Sequence, residues 1–89
     1  MKAVITVTGK DAKGIIAAVS NCCADHGANI VDISQSVLQD YFAMIMLVEV
    51  DDLKLSFTEF VDVMQKLGDE KGLVIHTMHE DIFNAMHRI

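Results

Sequence analysis

A chain of 89 residues and 9.8 kDa has room for one compact domain, with a radius of gyration of about 12 Å, and excludes a second full domain. It is 52% apolar, contains no proline and has a mean hydropathy of +0.35, which excludes a disordered chain and is high for a small monomer with most of its surface in water. Seven Lys and Arg against thirteen Asp and Glu leave a net charge of −6, so neither nucleic acid nor an anionic membrane is expected as a partner.

The longest apolar run, residues 41–48, falls well short of the ~18 residues that suggest a membrane span. Residues 3–8 form only a short mixed run before Gly9-Lys10, so no secretory core is expected. Cys22 and Cys23 are sequence neighbours; they can neither staple a long loop nor form a Cys-x-x-Cys pair. The expectation is a reduced, cytoplasmic protein.

Residues 3–8 are rich in β-branched side chains and end at Gly9, which predicts a first strand. From 14 to 26, Ile15, Ile16, Val19, Cys22 and Cys23 recur at helical spacing, and Gly27 follows where a left-handed residue ends a helix. Residues 29–38 and 41–50 read as two strands joined at Gln39-Asp40, a hairpin. Ser56-Phe57-Thr58-Glu59 is a capping box that opens a helix with the stripe Phe57, Phe60, Val61, Met64 and Leu67, ending near Gly68 or Gly72. Residues 73–78 give a fourth strand. A last short helix opens on Glu80-Asp81, carries Ile82, Phe83, Met86 and Ile89, and closes on His87-Arg88, the charge order a helix dipole favours.

The order βαββαβ plus a short C-terminal helix predicts an α+β, ferredoxin-like sandwich as a single domain over 1–89. Right-handed crossovers place both long helices on one face of a four-stranded antiparallel sheet. Yet the third strand is apolar on both sides: Phe42, Met44, Met46 and Val48 alternate with Ala43, Ile45 and Leu47. Burying three or four such side chains contributes on the order of 5–10 kcal/mol gross. The second face is therefore expected to be covered in part by the C-terminal helix and in part by a second copy of the chain.

Chemistry concentrates in the loop from Gly9 to Gly14, which carries Lys10 and Lys13 into the first helix. A helix start presents unpaired amides and partial positive charge, suited to a carboxylate or phosphate. The plainer alternative is a polar turn in which Asp11 caps the helix. Ile15-Ile16 stand where a phosphate loop needs Lys-Ser/Thr, which argues against a nucleoside triphosphate. His76 and His79 on one strand point to opposite faces and make a poor metal pair. Three acidic pairs, Asp51-Asp52, Asp69-Glu70 and Glu80-Asp81, read as solubilising charge. No nucleophile-base constellation is legible, so no enzyme activity, cofactor or metal is expected.

Asp11-Ala12-Lys13-Gly14-Ile15 at a helix start, with Gly27-Ala28-Asn29-Ile30 opening the next strand, resembles the ACT domain family of small-molecule-sensing modules over nearly the whole chain. Asp32-Ile33-Ser34-Gln35 and the tail Ile82-Phe83-Asn84-Ala85-Met86 are similar to small stand-alone ACT proteins and to the ACT modules of the glycine cleavage system repressor. The resemblance implies homodimers that bind an amino acid or small carboxylate where the first loop meets the start of the second strand, and that pass a signal to a protein target. It assigns Asp11 to the ligand ammonium, the Gly14 and Ile15 amides to its carboxylate, and Asn29 to either group, with Ile30 also among the binding residues. The rival readings are a ligand-free dimerisation module and, more remotely, a metal-binding protein using His76 and His79.

Overall fold

The computed structural model describes residues 1–10 and 13–86. Four strands and three helices follow in the expected order: β1 (Lys2–Gly9), α1 (Ile15–Asp25), β2 (Asn29–Leu38), β3 (Tyr41–Glu49), α2 (Phe57–Lys71), β4 (Val74–His79) and α3 (Glu80–Met86). The sheet is antiparallel throughout, in the order β2-β3-β1-β4. The two apolar strands thus take the centre, and β2 and β4 the edges. The radius of gyration is 12.5 Å and the shortest dimension 19 Å, the thickness of one helix layer on one sheet.

Helix α2 starts as its sequence dictates. The Ser56 hydroxyl accepts the Glu59 amide at 3.1 Å, and the Glu59 carboxylate accepts the Ser56 amide at 3.2 Å. These bonds favour ionised Glu59 and lower its pKa. At the other end Gly72, with φ of 71°, is the left-handed cap and donates to the Gly68 carbonyl. Phe60, Met64 and Gly68 form the buried stripe of α2, and the missing side chain at Gly68 lets the helix lie close to the Leu73 and Ile75 backbone and side chain. Helix α1 begins at Gly14, in the left-handed region with φ of 73°, and among the described residues no side chain caps it. The N-cap is therefore Gly14, and Asp11 itself lies outside the described residues, as do His87 and Arg88 at the predicted end of α3.

Ala3, Ile5 and Val7 of β1, with Phe42, Met44, Met46 and Val48 of β3, face the two long helices and make the buried core with Val19, Cys23, Phe60 and Met64. The second face is ordered by the strand register. Its first row is Leu47-Val4-Met78; α3 packs against the β1 and β4 strands of that row, and Val4 is only 4% exposed. The next rows, Ile45-Thr6-His76 and Ala43-Thr8-Val74, are not covered in this way: Ile45 is 46% and Val74 55% exposed. Beyond them Leu38 and Tyr41 pair at the hairpin end and are largely open. The expectation of partial cover by the C-terminal helix is met on the β1–β4 half nearest α3. Nearly every residue of β2 is exposed, a full-length edge strand whose outer ladder faces no further strand among the described residues.

Candidate ligand site

The first turn of α1 has amides that no intrahelical carbonyl can accept. They open into a small concavity of about 160 Å³ lined by Lys13, Gly14, Ile15, Ala18 and Lys71. Ile15 is buried and anchors the turn in the core, whereas Gly14 is exposed. Two ammonium groups thus join the helix dipole on one side of the fold. Lys71 was not visible in the sequence reading. It lies 58 residues from Lys13 (71 − 13 = 58) and reaches this place because α2 ends where α1 begins. A lysine in the last turn of a helix beside another helix's start was the available signal.

Asn29 and Ile30 lie elsewhere in the same chain. They open β2 after α1 has run its 11 residues, about 16 Å at 1.5 Å per residue. The register confirms the separation. Asn29 pairs with Glu49, which pairs with Lys2 at the start of β1, whereas α1 begins beyond Gly9 at the opposite end. Gly14 and Ile15 are thus together, Asn29 and Ile30 are together, and one copy of the chain does not bring the two pairs into a single pocket. Asp11 is outside the described residues.

A second concavity, of about 510 Å³, lies at the other end of the molecule between Met1, Lys2, His79, Glu80, Asp81 and Ile82. It contains none of the predicted ligand residues, and its walls mix both charge signs. The Met1 ammonium beside it is held by Asp51.

The histidines separate as their spacing requires. His79 turns to the helix layer and stacks on Phe57 with ring centroids 4.2 Å apart, whereas His76 is exposed on the other face in register with Thr6. The two do not converge on one ion, and no group of three or more His, Cys, Asp or Glu among the described residues is arranged to hold a metal. His26 follows α1, where its Nδ1 donates to the Cys22 carbonyl oxygen at 2.7 Å. Burial, with a smaller contribution from Asp25, pushes the Cys22 thiol up; burial and then Cys22 push Cys23 up to about 12. Both are far from the thiolate state that nucleophilic chemistry needs. No described helix is long and apolar enough to cross a membrane.

The chain and its fold have close counterparts. An ACT domain family model matches residues 2–77. A UPF0237 protein of Methanopyrus kandleri is 47% identical, covering 99% of this chain and 98% of its own. An ACT domain protein from Streptococcus pneumoniae is 44% identical with a TM-score of 0.83, over 98% of both chains. A crystal structure titled as a candidate glycine cleavage system transcriptional repressor is 26% identical with a TM-score of 0.69, over 85% of this chain and 43% of that one. With the family model spanning most of the sequence and relatives matching end to end, this chain belongs to the ACT domain family.

Proposed function

We propose that the chain is a non-catalytic regulatory module that binds an amino acid or related small carboxylate as a homodimer in the cytoplasm and relays its occupancy to another protein. The observation that carries this reading is the start of α1, where Lys13 and Lys71 flank a concavity of small-molecule size and, among the described residues, no side chain caps the helix. Amides and two cations there suit a carboxylate. Separation of the two residue pairs within one chain supports a shared site. If two β2 edges join antiparallel, the second copy's Asn29 arrives beside Val37 and Leu38. Val37 pairs through Phe42 with Gly9, the end of the sheet where α1 begins. Asn29 and Ile30 of one copy then complete the Gly14 and Ile15 site of the other, with Asp11 offered to the ligand ammonium. Ligand bound across the join favours the paired state by its differential affinity, which is the signal.

A ligand of so few atoms binds in the micromolar to millimolar range, since contacts reach at most about 1.5 kcal/mol per atom. A thermal-shift screen of the common amino acids tests the reading. One or two of them should raise Tm, and both Asn29→Ala and Lys71→Glu should abolish the rise. Mixing equal amounts of the two variants should restore about a quarter of the sites, because roughly half of the dimers become hybrids and each hybrid regains one intact site of two. A flat screen with the dimer retained would favour the second reading, a ligand-free dimerisation module, for which the exposed β2 edge suffices.

A further inference from the structure

The second face of the sheet is half covered, and the pattern of cover is self-complementary. Helix α3 follows β4 without a linker and packs against β1 and β4, at the end of the sheet that holds the row Leu47-Val4-Met78. It is seven residues long, about 10 Å. The uncovered rows through Ile45 and through Ala43 and Val74 lie about 7 Å apart along the strands, a length that one more such helix fills. On its outer side α3 carries Ile82 and Met86 at i,i+4 spacing, 51% and 66% exposed, although Phe83 between them is half-buried. A helix this short does not expose an apolar pair to water for its own stability.

We infer that this face is a second self-association surface, distinct from the β2 edge, in which α3 of each copy docks on the uncovered rows of the other about a two-fold axis. That axis runs across the strands, so the α3-covered end of one sheet meets the hairpin end of the other. Ile82 and Met86 then lie against the second copy's Ile45 and Val74, with Leu38 and Tyr41 at the margin. The six side chains leave on the order of 600 Å² open per copy, close to the roughly 800 Å² per partner of a standard interface. Charge agrees with this orientation. Glu80 and Asp81 open α3, and Lys10 stands at the hairpin end on this face, its Nζ 6.0 Å from the Tyr41 ring. The two-fold places the acids of each copy beside the lysine of the other. The same axis forms both contacts twice and leaves no open surface of this kind to grow a filament.

Sedimentation of the full chain tests the arrangement, with circular dichroism as the control for folding; Lys10, Ile45, Asp81 and Met86 are exposed and Glu80 is half-buried, so the fold should persist. Met86→Glu and Ile45→Glu should each halve the mass of the wild-type particle. Lys10→Glu should weaken association about tenfold, and Lys10→Glu combined with Glu80→Lys and Asp81→Lys should restore it. Ile45→Glu and Met86→Glu particles of unchanged mass, or a wild-type chain that sediments alone at 9.8 kDa, would overturn the inference. The amino-acid response of the β2-edge site is read separately by thermal shift. Its loss leaves this surface standing, and the converse holds as well.

Discussion

Cys23 shows how one position can be chemically capable yet silenced by its surroundings. Its side chain is fully buried under the sheet, and its pKa is pushed up to about 12 from 9.0. Because the folded state holds the neutral thiol more strongly than the unfolded chain does, this contribution to stability is complete below about pH 9 and is lost as pH rises toward about 12. Alkylation at pH 8 should leave Cys23 unmodified in the native protein and label it within minutes in denaturant. Cys22, half-buried with its thiol also pushed up, should react more slowly than a free thiol. Rapid native labelling of Cys23, followed by mass spectrometry of the α1 peptide, would contradict the packing described here. In the sequence both cysteines fall among the recurring apolar positions of α1, where a thiol serves as a small hydrophobe.

Among the elements, the joint between α1 and β2 is the most tightly specified. Gly27 has φ of 84°, and a side chain there would run into the Asp52 carbonyl. Next to it, the Lys54 amide donates to the His26 carbonyl at 3.0 Å. Gly72 has a similar φ of 71° but open space around it. Comparison of the two therefore separates backbone strain from collision. Gly72→Ala should cost about 1–2 kcal/mol, the left-handed penalty alone. Gly27→Ala should cost at least ~2 kcal/mol, a fall of roughly 8–16 °C in Tm for a domain of this size. Equal shifts in Tm for the two variants would refute the distinction. The φ at Gly27 was readable as a helix stop; its collision partner, from a loop 25 residues on, was not.

For the whole molecule, stability should be layered. The centre of the sheet, β1 and β3, is enclosed by strands on both sides and helices on one face, whereas α3 has no buried residue. Native hydrogen exchange should show β1 and β3 amides opening only with global unfolding, and α3 amides orders of magnitude sooner. Self-association through the second face should slow the α3 amides as protein concentration rises. Concentration-independent α3 exchange at the unprotected rate would mean that this helix neither docks on its own sheet nor on another copy. The sheet centre and α3 thus occupy opposite ends of one stability scale, and the interfaces draw on the weak end.

Local pattern alone was enough for the elements, because alternation, helical stripes, the Ser56–Glu59 box and the stop at Gly27 are each set by backbone geometry and short-range hydrogen bonds. β2 spans 29–38 as read, β3 ends one residue short of its expected limit, and β1, β4 and α1 differ from theirs by one residue at each end. Connectivity then restricted the topology, since right-handed crossovers allow few ways to fold such an order. Three-dimensional packing decided what spacing along the chain does not encode. It put Lys71 at the start of α1 and set Gly14 a helix length from Asn29. It also allotted α3 to only one half of the open face. Those outcomes depend on which ends of separate elements lie side by side, a consequence of how whole layers stack rather than of any single run of residues.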